Sequence, residues 1–186
     1  LFRSGGAGLA LLVIIYLQFD SVRMARLTAL ADPFADPQNT GYQISQSIYA
    51  IGSGRWFGLG LGQSVQKYSN LPEPYNDFIF AIVCEELGFF GCLLIILLLT
   101  AIIVRCVYIG YRSGSKLGAL ISVGVASMLA FQTIENIAMC LGVGPVVGLT
   151  LPFFSSGGSS IVTNFACMGI VSGIKMKPKP TMFLRY

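Results

Sequence analysis

Between Leu87 and Val104 the chain runs for 18 residues without a single charge. A helix of that length rises about 27 Å, close to the thickness of a bilayer's hydrocarbon layer. No other feature restricts the fold so strongly, and it does not stand alone. Leu117–Cys140 forms a second apolar stretch, and Ile161–Ile174, extended back through Gly157, forms a third. Ala7–Phe19 is apolar but short, and Tyr42–Phe57 is apolar on average while carrying Gln43, Gln46, Ser47, Gly52 and Gly54. Charged residues make up only 11% of the 186-residue chain, less than half the share of about 25% in average globular proteins. A soluble domain is therefore excluded. Disorder and a disulfide scaffold are excluded too, because the hydrophobic content is 54% and the five cysteines are odd in number. The cysteines sit mostly within apolar runs and read as small hydrophobes.

Loop charges decide the ambiguous segment. If Tyr42–Phe57 spans, one side of the membrane holds Arg23, Arg26, Arg105, Arg112, Lys116, Lys175, Lys177, Lys179 and Arg185. The other side holds Arg55 and Lys67. Cytoplasmic loops carry the Lys/Arg excess, so nine against two gives a coherent topology. The reading is an all-α polytopic membrane protein with spans at about 7–19, 42–57, 78–106, 117–140 and 156–174. An outer loop covers about 58–76, and a cytoplasmic tail covers 175–186. The chain begins at Leu1, and Leu1–Phe19 has no small-residue cleavage site, so no cleavable signal peptide is expected.

Histidine is absent, so the commonest general base and the commonest zinc ligand are unavailable. Chemistry falls to carboxylates, Lys/Arg, hydroxyls or backbone. Polar groups gather toward the outer third of three spans: Asp77, Glu85 and Glu86, then Gln132, Glu135 and Asn136 on one helical face, then Ser155, Ser156, Ser159 and Ser160 around Gly157 and Gly158. That depth suggests an outward vestibule, since transporters concentrate their sites near the midplane. Plainer readings exist for each group. Glu85 and Glu86 could pair with basic groups elsewhere in a longer chain. Glu135 and Asn136 could be interhelical hydrogen-bonding residues. The serine–glycine run could cap and pack a helix, or its free N–H groups could bind an anion. Gly58-Leu-Gly-Leu-Gly62 lacks a preceding strand and reads as a bend, not a nucleotide loop. Asp77 follows the stiff Leu71-Pro-Glu-Pro-Tyr-Asn76 and starts a helix at the water boundary. It is either a helix N-terminal carboxylate or, with no histidine present, the base for a sugar hydroxyl.

Three long stretches resemble one family. They are Gly41-Tyr-Gln-Ile-Ser-Gln-Ser47 with Phe57-Gly-Leu-Gly-Leu-Gly-Gln-Ser-Val-Gln-Lys67, then Leu71-Pro-Glu-Pro-Tyr-Asn-Asp-Phe-Ile-Phe-Ala81 with Glu85-Glu-Leu-Gly88, and Gly148-Leu-Thr-Leu-Pro-Phe-Phe-Ser-Ser-Gly-Gly-Ser-Ser160. Together they are similar to the SEDS family (shape, elongation, division and sporulation proteins), and more to its division and sporulation branches than to elongation. The resemblance covers about residues 7 to 175.

It implies the C-terminal five-helix portion of a ten-transmembrane-helix SEDS fold, inactive on its own. It implies a peptidoglycan glycosyltransferase of the bacterial cytoplasmic membrane, with its active site facing outward and its C-terminus in the cytoplasm. Such enzymes polymerise lipid II into β-1,4 glycan, release undecaprenyl pyrophosphate, and work with a class B penicillin-binding protein in division or sporulation complexes. The family's essential Asp falls on Asp77, and the Lys and Glu of its outer loop fall on Lys67 and Glu73. An α-linked donor giving a β link implies inversion, with Asp77 as base. Lys67, the helix N-terminus near Gly157, or a divalent cation (Mg or Mn) would stabilise the departing pyrophosphate.

Candidate substrate-binding residues are Lys67, Glu73, Glu135, Asn136, Ser155, Gly157, Gly158 and Ser159, with Glu135 taken from membrane chemistry alone. The sequence departs from the family at Ser156, where Tyr is usual, and at Val147, where some division members carry Lys. Two other functions compete: a lipid-linked precursor flippase using Glu135, and a non-catalytic scaffold of the division complex. Beyond lipid II and the synthase, membrane lipids are the expected partners. Nucleic acid is not, because the basic residues are scattered over short loops.

Overall fold

A computed structural model describes residues 40–69 and 75–176. The described residues form five helices: α1 (Thr40–Ser53), α2 (Gln66–Ser69), α3 (Ile79–Arg112), α4 (Lys116–Cys140) and α5 (Gly158–Met176). Helices α3 and α4 are long and apolar enough to cross a bilayer. Their exposed side chains include Leu94, Leu97, Leu98, Val104, Leu120, Phe131 and Ile134. A helix apolar on all sides needs an apolar surround. The expected span at 7–19, the tail beyond Met176, and Glu73 in the loop lie outside the described residues.

Helices α3 and α4 make an antiparallel hairpin through Ser113-Gly-Ser115. Ser115 ends the turn as the N-cap, its hydroxyl accepting the Gly118 N–H at 3.0 Å. Close approach comes from small residues, as in other membrane helix pairs. A Cβ on Gly110 would lie 3.1 Å from the Ser122 side chain and 3.2 Å from the Ala119 carbonyl. Cys106, Ala126 and Val171 then pack α3, α4 and α5 together. At the other end a larger core gathers Ile44, Ala50, Phe80, Ala81, Met139 and Leu151. There the Ser47 hydroxyl of α1 donates to the Cys140 carbonyl at 2.8 Å. That carbonyl belongs to the last turn of α4, where no intrahelical donor remains.

Two expectations about element bounds need correction. The span expected to reach residue 57 ends as a helix at Ser53. Gly54 lies so close to α3 that a Cβ there would overlap the Cys84 carbonyl, and Arg55 adopts φ 48°. The chain therefore turns and lies along α3. The second correction concerns α3, which continues to Arg112 and is broken inside by Gly88 at φ 66°, ψ −164°.

The break and the turn fit together. In a regular helix Phe89 N–H would bond the Glu85 carbonyl, and Phe90 N–H the Glu86 carbonyl. At the break these groups bond the 55–60 segment. Leu59 N–H donates to Glu85 O at 2.9 Å, and Gly60 N–H to Glu86 O at 3.0 Å. Phe89 N–H donates to Arg55 O at 2.9 Å, and Phe90 N–H to Trp56 O at 3.3 Å. Irregular backbone near the bilayer core is tolerated when protein satisfies it, and here it does. The rings of Trp56 and Phe89 cover the clamp edge-on, with centroids 5.4 Å apart.

The Glu85 and Glu86 side chains extend the same clamp. Both meet the adjacent loop, but Glu86 Oε1 is buried there with an ion-pair contact and no hydrogen bond among the described residues. Glu85 is 1% exposed, and its carboxylate accepts from the Ser64 hydroxyl (2.5 Å), Val65 N–H (3.0 Å) and Gln66 N–H (3.4 Å). Ser64 in turn accepts the Lys67 N–H at 3.1 Å, closing the first turn of α2. Glu86 Oε1 lies 3.6 Å from Lys67 Nζ. Replacing Glu85 with Ala should leave three donors without an acceptor, at about 1–3 kcal/mol for each one that water cannot reach. We expect a total loss of about 2–5 kcal/mol in the thermal unfolding of the intact protein. A loss below 1 kcal/mol would show that the loop does not depend on this carboxylate.

Candidate functional site

The sequence candidates converge where three segments meet: the approach to α3 (residues 75–77), the last turns of α4, and the loop before α5. Asn136 joins all three. Its Nδ2 donates to the Asp77 carbonyl at 2.8 Å and to the Leu149 carbonyl at 2.7 Å. Ser155 adds a second link, accepting the Leu151 N–H at 2.7 Å and donating to the Asn76 carbonyl at 2.6 Å. A third comes from Ser156, whose N–H donates to Tyr75 O at 3.0 Å and whose hydroxyl donates to Asn76 Oδ1 at 2.6 Å. The loop itself is held to α5 by an edge-on contact between Phe153 and Phe165, with centroids 5.5 Å apart.

Asp77 is thus fixed through its own carbonyl and through its neighbours, while its side chain is half-buried. The carboxylate lies against backbone: a Cβ built on Gly148, at φ 77°, would come 3.3 Å from Asp77 Oδ2. A half-buried carboxylate on a backbone pinned from two elements can accept a proton or hold a cation without reorganising.

The other candidates divide. Lys67 reaches the junction from the loop side. Its Nζ lies 5.1 Å over the ring of Tyr75, two residues before Asp77, and pairs with Glu86. Gly157 accepts the first α5 bond, from Ile161 N–H, and also the Ser160 hydroxyl. Gly158 and Ser159 stand exposed at the start of α5. Asn136 and Ser155 are expected from sequence as substrate contacts, but both are buried and hydrogen-bonded to main-chain groups. They act on the site by positioning Asp77 and its loop. Glu135 sits half-buried beside Asn136, and the bonds of the junction come from Asn136. Sequence reasoning missed Asn76 and Gly148, both inside the quoted motifs, and placed Ser156 in the serine–glycine run without seeing its bonds to residues 75 and 76. An Asn immediately before a candidate base, and a Gly opening a loop motif, were the available signals.

No group of three or more His, Cys, Asp or Glu converges among the described residues. The described chain therefore builds no all-protein metal cage.

Asn136→Leu keeps the volume but deprives the carbonyls of half-buried Asp77 and Leu149 of their donor. We expect a stability loss of about 1–3 kcal/mol by thermal unfolding. Activity should fall further than that loss explains, because Asp77 loses its anchor. Equal activity per folded molecule would show that Asn136 serves packing alone.

Comparison with known proteins gives one answer. Residues 2–179 match the family model for FtsW, RodA and SpoVE, described as cell cycle protein. The chain is 50% identical over 152 residues to the probable peptidoglycan glycosyltransferase FtsW of Thioalkalivibrio sp. (strain K90mix), covering 80% of this chain and 38% of that protein. It is 45% identical over 152 residues to the stage V sporulation protein E of Bacillus subtilis (strain 168), covering 82% of this chain and 42% of that protein. A chain in a structure on the coordination of polymerization and crosslinking by a peptidoglycan synthase complex superposes with a TM-score of 0.72 at 29% identity. That match covers 93% of this chain and 48% of the other. The chain thus spans about two-fifths of the length of these curated relatives and half that of the solved one.

Proposed function

Because the chain belongs to the FtsW/RodA/SpoVE family of cell cycle proteins, we propose that it carries the acceptor-activating site of a peptidoglycan glycosyltransferase. The substrate is lipid II, the product a β-1,4 glycan strand, and the leaving group undecaprenyl pyrophosphate. The reaction takes place on the outer face of the bacterial cytoplasmic membrane, in division or sporulation, beside a class B penicillin-binding protein. One observation carries this reading: Asp77 is held rigidly at the junction of three segments, at one end of the apolar helices.

In this reading Asp77 takes the proton of the acceptor 4-hydroxyl as that oxygen attacks the donor's anomeric carbon. Inversion needs one base and no covalent intermediate. Lys67 and the N–H groups at Gly158 and Ser159 oppose the charge growing on the pyrophosphate. Substrate phosphates could share a divalent cation with Asp77. Glu73 and Glu135 remain proposed substrate contacts, and the apolar flanks of α3 and α4 accommodate the isoprenoid tails.

The deciding measurement reconstitutes the intact protein in vesicles with labelled lipid II. Glycan strands lengthening at one face support the proposal. Labelled lipid crossing the bilayer with no strand growth would overturn it in favour of a flippase.

A further inference from the structure

At the end of the bundle away from Asp77, the α3–α4 turn and the end of α5 enclose a cavity of about 270 Å³. Arg105, Tyr108, Arg112, Ser113, Gly114 and Lys175 line it, so three cations face one space. The four described carboxylates, Asp77, Glu85, Glu86 and Glu135, all lie toward the opposite helix ends. We propose that this cavity binds the phosphate of an anionic phospholipid headgroup.

Geometry supports the proposal in two ways. The guanidinium carbons of Arg105 and Arg112 lie 5.4 and 5.0 Å from the centre of the same Tyr108 ring. These cation–π contacts hold both guanidinium groups at the cavity wall, where with Lys175 they would oppose the charge of a bound anion. Guanidinium groups also match phosphate through paired N–H donors. Helix dipoles explain only part of the cluster. Arg112 and Lys175 occupy the last turns of α3 and α5, where a cation complements free carbonyls. Arg105 lies seven residues before Arg112, beyond the reach of that effect.

Depth puts the Arg105 end of the cavity at the level of a lipid headgroup. From the break at Gly88, the uncharged helical run Phe89–Val104 rises about 24 Å through the hydrocarbon layer. Arg105 is the next residue, and Arg112 lies about 10 Å further along the axis. The headgroup layer is roughly 5–7 Å deep on each side. The cavity therefore spans the headgroup layer, where lipid phosphates lie, and its Arg112 end reaches the water beyond. Tyr108 between the arginines is an interfacial residue with an apolar body and a polar tip.

The test uses the intact protein in nanodiscs of phosphatidylcholine, with and without phosphatidylglycerol, or with inorganic phosphate added. Thermal unfolding and retained lipid by native mass spectrometry are the readouts. Phosphatidylglycerol should raise the unfolding midpoint, and inorganic phosphate should not. Arg105→Gln with Arg112→Gln should cut phosphatidylglycerol retention roughly ten- to thirty-fold. Lys116→Gln, a cation on the same turn outside the cavity lining, should leave it unchanged. Equal stability in both bilayers, an equal rise with inorganic phosphate, or an equal loss in Lys116→Gln each overturns the proposal. If the double variant does not fold, Lys175→Gln at the exposed end of α5 carries the test. A several-fold drop in retention supports the site, and unchanged retention overturns it.

Discussion

Asp77→Asn in the intact protein should reduce lipid II polymerisation at least a hundredfold while the unfolding midpoint stays near that of the wild type. The two halves of this expectation have separate causes. The anchor that ties residue 77 to Asn136 uses the main-chain carbonyl, which Asn retains. What changes is the basicity of the side chain, and positioned general bases contribute about 10² to 10⁴ in rate. Asp77→Glu restores the charge but moves it outward by one methylene, and a misplacement near 1 Å can itself cost about a hundredfold. Gly148→Ala tests the same geometry from the other side. Its Cβ would press on Asp77 Oδ2 at 3.3 Å, from a backbone at φ 77°. It should cost about 1–2 kcal/mol in stability and lower the rate with the carboxylate intact. Polymerisation at the wild-type level by Asp77→Asn would remove Asp77 from the chemistry.

The apolar helices were legible because their signal is local and summed: 18 uncharged residues in α3 outweigh any single exception. The break at Gly88 was illegible for the same reason. One glycine in an apolar run leaves the run apolar, and what makes it a break is a segment some thirty residues earlier. The polar residues show a similar split. Their expense in a membrane marks Asn136, Glu85 and Asp77 as significant from sequence alone. Their roles depend on what faces them, which sequence does not give. Asn136 meets two carbonyls and becomes an anchor; Glu85 meets three donors and becomes a cap for the loop carrying Lys67. Asp77 was singled out by its place after a stiff loop, and its immobilisation by Ser155 and Ser156 through Asn76 came only from the fold.

Gly88→Ala should be strongly destabilising, at about 3–5 kcal/mol. Its Cβ would lie 2.3 Å from Gly58 N and 2.7 Å from Phe57 N, and both are main-chain atoms that cannot swing aside. One escape is to straighten α3, which alanine favours. That restores two helical bonds between residues 85–86 and 89–90. It also strands the donors of Leu59 and Gly60 and the acceptors of Arg55 and Trp56 at the edge of the bilayer. Each group left dry costs about 1–3 kcal/mol. Gly124→Ala is the control, since a Cβ there, within α4, would meet nothing within 4 Å. Thermal unfolding should rank Gly88→Ala well below Gly124→Ala, and hydrogen exchange at residues 55–60 should quicken only in the former. The same variant should depress polymerisation, because Glu85 and Glu86 hold the Lys67 loop from the turn the break creates. If the two alanine variants prove equally stable, the clamp contributes little and α3 can run straight without loss.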